Sequence, residues 1–274
     1  DFSSREAAMV LEALGRDAAE GTWGTYLWFD DTEAFDYAMN LELTFSYDRE
    51  RILENAAFTL PKGAFAVVAG ASGIGKSTLL KTASGILNPI SGQVIVDGHL
   101  LTEMSRKQTA QQIAYLPQGK TVPDMTVSQM VLHGRFPHLS YPRRYSAKDR
   151  EIAAYAMEQT GISQYAKKAL QTLSGGMRQR AYIAMALAQD TDYVFLDEPT
   201  THLDIAHQLE LMKLLRVLAD RGKGIVMVLH DLPLAFTFSD RIILLDRGRA
   251  AMDAEPRQIC ADPRLAEIFG VSLN

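Results

Sequence analysis

Short apolar runs alternate with polar turns and amphipathic stretches along most of this chain. Runs of four to six residues that predict strands lie at residues 41–45, 64–69, 93–96, 113–116, 193–196, 225–229 and 242–246. Continuous apolar runs of this length are typical of strands that are buried on both faces. Because amphipathic segments separate them, we predict an α/β fold with a mostly parallel sheet. Its ligand is expected beyond the carboxyl ends of the strands.

The strand pattern stops between about residues 119 and 173, where the sequence instead predicts helices at residues 127–134, 147–160 and 164–168. This interruption indicates a helical subdomain inserted into the α/β unit. Downstream, residues 204–219 read as an amphipathic helix. A hairpin turning at Arg247-Gly248 and a helical tail to about residue 269 follow.

A glycine-rich stretch between the strand at 64–69 and a helix-forming run at 78–83 fits the pattern G-x-x-x-x-G-K-[ST]. Glycines let the backbone wrap around a polyphosphate, so that consecutive N–H groups and the start of the helix point at negative charge. Lys76 would reach the terminal phosphates and Ser77 would bind Mg²⁺. The predicted nucleotide-binding residues of this loop are Gly70, Ala71, Ser72, Gly73, Ile74, Gly75, Lys76, Ser77 and Thr78. By itself the loop indicates ATP or GTP and no particular reaction.

Two further motifs narrow this prediction. Leu173-Ser174-Gly175-Gly176 opens an alanine-rich helical run, with Ser174 as the N-cap, and the strand at 193–196 ends in Asp197-Glu198. Together with the phosphate-binding loop these motifs resemble the ATP-binding cassette family. The order along the chain also matches, and the resemblance covers residues 40 to about 271. In that order the motif residues are Lys76, Gln118, Ser174, Asp197, Glu198, Asp204 and His230.

The resemblance implies a P-loop NTPase fold: a RecA-like, mostly parallel sheet, an inserted helical subdomain at about residues 119–173 and an N-terminal antiparallel β portion. Residues 39–271 are then the ATPase domain. Residues 1–38 show no recognisable chemistry. We expect them to be an extension of unknown role, a fusion remnant or translated upstream sequence, and since there is no initiating Met the chain is expected to be truncated or processed.

Roles for the catalytic residues come from the same resemblance. A carboxylate at the end of a strand beside the loop, Asp197, can hold Mg²⁺ through water, and Glu198 is the expected general base. His230 follows the apolar strand at 225–229 and would contact the γ-phosphate and orient the attacking water. Gln118 would reach Mg²⁺ and its water, and couple the nucleotide to transport.

Nucleotide recognition is expected to involve further residues of the same motifs. Tyr47 resembles the aromatic residue that stacks on adenine, and because stacking favours no base strongly, ATP is preferred over GTP on the resemblance alone. The residues of the Leu173-Ser174-Gly175-Gly176 motif, which we call the signature, are also expected to contact the nucleotide: Ser174, Gly175 and Gly176. Asp204, which follows Glu198 in the chain, is expected to contact it too. Three residues depart from the common pattern without removing a phosphate contact: Ala71, Ile74 and Met177.

Composition agrees with a single catalytic domain, since 274 residues with 47% hydrophobic content can bury a full α/β core. The apolar runs are far shorter than the roughly 18 residues that span a bilayer, and the acidic N-terminus does not resemble a signal peptide. A net charge of −5 without a basic stripe argues against nucleic acid. Cys260 is the only cysteine, expected to be partly buried, and fits a reducing compartment.

The resemblance implies three partners: a second copy of the chain, integral membrane permease subunits and, indirectly, a substrate-binding protein. It places the chain as a peripheral subunit on the cytoplasmic face of the inner membrane. The stretches at residues 134–138, 184–191 and 200–204 look like those of importers for iron siderophores, haem and cobalamin. Among these, ferric siderophore is the expected cargo, and haem, cobalamin or another substrate is the alternative.

Other classes of protein with a phosphate-binding loop fit less well. A small-molecule kinase would not need Ser174-Gly175-Gly176. A cassette ATPase acting on ribosomes or DNA is disfavoured by the acidic charge and by the presence of one cassette, and a non-hydrolytic regulatory cassette by Glu198 and His230. We therefore favour an importer subunit, and a non-transport P-loop ATPase remains the alternative.

Overall fold

The computed structural model describes residues 38–47, 50–119, 122–201 and 203–269. The strands in chain order are β1 (Ala38–Tyr47), β2 (Glu50–Pro61), β3 (Phe65–Gly70), β4 (Ser91–Val96), β5 (His99–Leu100), β6 (Ile113–Leu116), β7 (Tyr193–Asp197), β8 (Gly224–Val228), β9 (Arg241–Asp246) and β10 (Arg249–Ala254). The α-helices are α1 (Lys76–Ala83), α2 (Arg106–Gln112), α3 (Val127–His133), α4 (Ala147–Gln159), α5 (Gly175–Ala188), α6 (Ile205–Asp220), α7 (Leu232–Phe238), α8 (Pro256–Ala261) and α9 (Arg264–Phe269).

Two sheets organise these strands. The larger has the order β10-β9-β3-β8-β7-β6 and is parallel except for the β9–β10 hairpin. The smaller is antiparallel, in the order β2-β1-β4-β5. The prediction of a mostly parallel sheet with an antiparallel β portion is confirmed, and all of the predicted strands are present. β2 and β5 were not predicted.

The parallel sheet is the middle layer of the molecule, with every residue of β3, β7 and β8 buried. Successive side chains of a strand point to opposite faces. On β3, Val67 packs in the core that includes α5 and α6, while Val68 packs in the core shared with α1 and the antiparallel sheet. Full burial of such a side chain stabilises the fold by about 1.5–3 kcal/mol. These two faces explain why the strands are apolar throughout.

The helical segment begins with α3 and α4, whose first turns are closed by capping boxes at Thr126 and Ser146. The helix predicted at residues 164–168 is wrong, because only a 3₁₀ turn forms at Ser163–Tyr165. Instead, the carbonyl oxygens of residues 166 and 168 accept hydrogen bonds from the first N–H groups of α3, at 2.9 and 3.0 Å. Those carbonyls cap α3 and do not continue a helix of their own.

Two further sequence expectations can be compared with the described residues. No helix within the described ranges combines the length and the apolar character needed to cross a membrane. Cys260 is exposed, so the expectation of a partly buried thiol is wrong. It lies in α8, whose buried residue is Ile259. The predicted extension at residues 1–38 lies almost entirely outside the described residues and stays a prediction.

A buried ion pair connects the residues after α3 to α4 and to the end of α5. Arg135 Nε donates to Asp149 Oδ1 at 3.0 Å, and Arg135 also donates to the carbonyl oxygen of Ala188 at 2.9 Å, at the end of α5. The other carboxylate oxygen of Asp149 accepts hydrogen bonds from the Ser146 hydroxyl and N–H at 2.7 and 2.9 Å. These Ser146 bonds and the Arg135 guanidinium outweigh burial and lower the pKa of Asp149 to about 2.

We expect Asp149→Asn to lower the free energy of unfolding by roughly 3–5 kcal/mol, because it leaves the Arg135 charge buried without its counter-charge. A carboxylate whose folded pKa is depressed stabilises the fold above its unfolded pKa of about 3.9. That stabilisation is lost as the pH falls towards 2. The wild-type advantage, measured by urea unfolding, should therefore be constant near neutrality and shrink below about pH 4. Glu151→Gln, at an exposed position of α4, is the control. A pH-independent difference would contradict the assignment.

Candidate active site

The loop between β3 and α1 adopts a conformation that requires glycine at specific positions. Gly70 has φ 147°, and a Cβ atom there would lie 2.6 Å from the carbonyl oxygen of Leu245 on β9. Gly75, at the start of α1, has φ 104°. Gly73 has φ 77° and open space where a side chain would project. The loop backbone from residues 71 to 73 is therefore exposed, and a ligand can approach it closely.

The N-terminus of α1 has the features of an anion-binding site. Gly75 supplies no side-chain cap, and the first turn of α1 contains no acidic residue. The first N–H groups of a helix have no partner within the helix and carry a partial positive charge. A polyphosphate in the exposed loop would supply the missing acceptors.

Lys76 is the first residue of α1, and its side chain folds back over the loop. Its Nζ atom donates to the carbonyl oxygens of Gly70 at 2.9 Å and Ala71 at 2.7 Å. Burial lowers the pKa of Lys76, while the nearby Glu198 and Asp197 carboxylates oppose that shift. Two neutral carbonyls leave the ammonium charge available to a phosphate. Its role at the terminal phosphates stays a prediction.

Asp197 ends β7 with a buried carboxylate whose two oxygens are both bound by hydroxyl groups. The Ser77 hydroxyl donates to Oδ1 at 2.8 Å, and the Tyr115 hydroxyl donates to Oδ2 at 3.1 Å. Ser77 lies in the first turn of α1, so the loop and the end of β7 meet at this pair. Carboxylate and hydroxyl oxygens are ligands that suit Mg²⁺, so Asp197 and Ser77 fit this ion.

Glu198 follows β7 and stands in the left-handed region, with φ 48°. A non-glycine residue in this conformation is strained, and such residues concentrate at functional sites. Its Oε1 atom lies 2.7 Å from His230 Nε2, and its Oε2 atom accepts a hydrogen bond from Gln118 Nε2. The Thr201 hydroxyl also reaches Oε2, at 3.3 Å. The segments that follow β6, β7 and β8 therefore converge on one carboxylate.

A second group of predicted residues lies at the start of α5 and α6. Ser174 caps α5, where its hydroxyl accepts from the N–H of Met177 at 3.4 Å, and Gly175 has open space beside it. Asp204 caps α6 and bonds both the N–H and Nδ1 of His207, at 2.9 and 2.7 Å. These His207 contacts lower the pKa of Asp204, the backbone hydrogen bond most. The His207 ring also faces Gly176, 3.5 Å from the position that a Cβ atom would occupy.

The structure brings together Lys76, Ser77, Asp197, Glu198, Gln118 and His230. Because they are predicted to contact the nucleotide, we name them the nucleotide-facing group, and we name Ser174, Gly176 and Asp204 the signature group. Tyr47 is the last residue of β1, and its side chain lies outside what the structure describes. The stretch at residues 200–204 is described except for residue 202. Sequence reasoning missed Tyr115, Thr201 and His207 as site residues. Only the pairing of β6 with β7, Tyr115 beside Phe195, could have placed Tyr115 near Asp197.

Comparison with known families decides the identity of this arrangement. Residues 53–201 match the model of the ABC transporter family, which is more than half of the chain. The chain belongs to the ABC transporter family. The cassette is therefore an ATPase of that family, as the sequence predicts. The match includes the loop, Gln118, the signature group except Asp204, and both carboxylates.

Curated relatives of the cassette align with most of its length. The petrobactin import ATP-binding protein FpuD of Bacillus anthracis is 40% identical, covering 83% of this chain and 84% of the relative. The iron(3+)-hydroxamate import ATP-binding protein FhuC of Bacillus subtilis is 41% identical, covering 84% of this chain and 86% of the relative. The ferric enterobactin transport ATP-binding protein FepC of Escherichia coli is 39% identical, over 88% and 89%.

Solved structures agree with the fold of the cassette. An inward-facing metal-chelate type ABC transporter matches with a TM-score of 0.75 and 31% identity, covering 85% of this chain and 89% of that one. A dimeric bacterial ABC transporter cassette matches with a TM-score of 0.70 and 27% identity, over 80% and 99%. The predicted P-loop NTPase fold is confirmed.

We expect Lys76→Ala to weaken ATP binding about 10- to 100-fold, because a hydrogen bond to a charged group contributes about 1.5–3 kcal/mol. Equilibrium titration with a fluorescent ATP analogue measures the loss. Lys81→Ala is the matched control, since Lys81 lies in the last turn of the same helix, away from the loop. Equal affinities for the wild type and Lys76→Ala would contradict the assignment of Lys76.

Proposed function

We propose that this cassette is the ATP-hydrolysing subunit of an importer that takes up an iron chelate, with ferric siderophore as the cargo, through a separate membrane permease. The observation that carries the hydrolytic role is the convergence of Gln118, Glu198 and His230 beside the loop that holds Lys76. A kinase needs no such water-activating group, whereas ATP hydrolysis does. The cargo is argued separately, from the relatives.

In the proposed reaction Glu198 is the general base. It takes a proton from a water molecule as the water oxygen bonds to the γ-phosphorus and the bond from that phosphorus to the bridging oxygen breaks, leaving ADP and inorganic phosphate. His230 holds Glu198 Oε1 at 2.7 Å and would orient the water and contact the γ-phosphate. Lys76 and the N–H groups at the start of α1 would bind the negative charge of the phosphates.

Ser77, Asp197 and Gln118 are the residues that would hold Mg²⁺. Mg²⁺ held there would offset the negative charge that develops on the phosphates. Ser77 and Asp197 are already in contact at 2.8 Å. Gln118 is bound to Glu198 in this structure, so its side chain links the base to the loop that follows β6. Tyr47 is proposed to stack on the adenine ring.

A second copy of the cassette is proposed to complete each site. The signature group lies at the start of α5 and α6, whereas the nucleotide-facing group lies at the start of α1 and the ends of β6, β7 and β8. A two-fold pair arranged head to tail would place Ser174, Gly175 and Gly176 of one copy on the nucleotide held by the other. The 27% identical cassette that was solved as a dimer supports this assembly.

The permease and cargo assignments rest on the relatives. The three curated relatives described above are named for import or transport of iron chelates: petrobactin, iron(3+)-hydroxamate and ferric enterobactin. The 31% identical structure is a metal-chelate type transporter. By analogy we place the cassette on the cytoplasmic face of the inner membrane, bound to permease subunits that receive the chelate from a substrate-binding protein.

We expect Glu198→Gln to lower the ATPase rate by about 10²- to 10⁴-fold while nucleotide affinity is kept, because the amide cannot accept the proton. Trapped ATP should also hold two copies together, so the variant with ATP should elute as a dimer in size-exclusion chromatography. Glu151→Gln, which removes an exposed carboxylate from α4, is the control. Near-normal hydrolysis by Glu198→Gln would show that another group acts as the base.

Reconstitution tests the cargo. The cassette is combined in vesicles with a permease and a binding protein encoded beside it, and ATPase rate and uptake are measured with ferric siderophore, haem, cobalamin and an unrelated sugar. We expect stimulation by ferric siderophore, and loss of uptake with Glu198→Gln. Stimulation by haem or cobalamin alone would replace the cargo, while hydrolysis that ignores every permease would argue for a non-transport ATPase.

A further inference from the structure

Among the residues that the structure describes, Tyr115 is the one bound to the metal-site carboxylate that no motif identifies. It lies on β6, beside Phe195 of β7 in the parallel register. Its hydroxyl crosses to Asp197 Oδ2 at 3.1 Å, while Ser77 occupies Oδ1 at 2.8 Å. The remainder of the ring packs against the apolar core between the two sheets. A rigid side chain, anchored by a strand, therefore ends on the carboxylate.

We propose that Tyr115 is a positioning residue for the metal site: its hydroxyl fixes the Asp197 carboxylate so that Oδ1 and the Ser77 oxygen face Mg²⁺ together. This inference rests on the proposed role of Asp197 and Ser77 in holding Mg²⁺. Tyr115 binds the oxygen that Ser77 does not, so it restrains the carboxylate from the other side.

The physical need for such a restraint follows from the Asp197 side chain. The terminal torsion of an aspartate is soft, and a single hydrogen bond leaves the second oxygen free to rotate. A hydrogen bond from a hydroxyl to a carboxylate is strong, because the acceptor is charged. With both oxygens bound, the carboxylate has one orientation. Pre-set orientation of a ligand by its own hydrogen-bond partners raises metal affinity.

Burial raises the pKa of Tyr115, and the neighbouring Asp197 charge raises it further. The contact itself is set by strand pairing, which brings this hydroxyl to Asp197. Tyr115 also lies three residues before Gln118, so the strand that ends in the Gln118 loop is tied to Asp197.

The chain contains a matched control for this contact. Tyr193, on β7, also donates its hydroxyl to an aspartate, Asp97 Oδ1, at 2.9 Å, and burial likewise raises the pKa of Tyr193. Its bond lies at the beginning of β7, whereas Asp197 lies at the end of that strand. Tyr193→Phe and Tyr115→Phe therefore each delete one partly buried hydroxyl-to-aspartate bond, at opposite ends of the sheet.

The test measures Mg²⁺ dependence by two readouts in wild type, Tyr115→Phe and Tyr193→Phe. One is equilibrium binding of a fluorescent ATP analogue at increasing Mg²⁺, and the other is the ATPase rate over the same Mg²⁺ series. For Tyr115→Phe we expect the Mg²⁺ midpoint of both curves to rise about 10-fold, with kcat restored at saturating Mg²⁺. Binding without Mg²⁺ should be unchanged, because Lys76 and the loop are intact. Tyr193→Phe should follow the wild type.

A wild-type midpoint in Tyr115→Phe, or an equal shift in Tyr193→Phe, overturns the inference. If Tyr115→Phe is less stable, the comparison is repeated in an Asp197→Asn background, where a residue acting through Asp197 should cause no further shift. A further shift there also overturns it. Wild-type binding and hydrolysis that ignore Mg²⁺ would instead remove the proposed metal site, and the inference with it.

Discussion

The backbone hydrogen bonds between four adjacent parallel strands, β6, β7, β8 and β3, hold the nucleotide-facing group together. Parallel strands end at the same edge of a sheet, so side chains far apart in sequence meet there. Gln118, Asp197 and His230 each follow or end one of these strands, and Lys76 follows the loop after β3. Burial of every residue in β3, β7 and β8 explains why their sequences are apolar and why their charged residues lie at or beyond the strand ends.

At that edge of the sheet, the backbone conformation of individual residues also shapes the site. Gly70 must be glycine, because its φ is positive and Leu245 leaves no room for a Cβ atom. Glu198 adopts a left-handed conformation with a side chain that glycine could not supply. The strain is tolerated where Gln118, His230 and Thr201 all bind the resulting carboxylate. Strain and hydrogen bonding together set the orientation of the proposed base.

The two groups of site residues are organised in different ways. The signature group is organised locally, by helix capping and the His207 contacts with Asp204 and Gly176. The nucleotide-facing group is organised by the sheet. A nucleotide contacted by both, one from each copy, would join two chains and release them after hydrolysis, the logic of nucleotide-dependent order. The buried Arg135–Asp149 pair connects the end of α5, the helix that Ser174 caps, to α4.

The sequence alone determined the family, the central strands and the motif residues, because each of these depends on short-range patterns: buried apolar runs, glycines of the loop, a capping serine, carboxylates at a strand end. Tertiary structure decided what depends on contacts distant in sequence. Tyr115 reaches Asp197, 82 positions away, only because β6 pairs with β7. The helix predicted at residues 164–168 is lost because its carbonyls bond the start of α3. Local propensity cannot reveal either outcome, since the competing partner comes from another part of the chain.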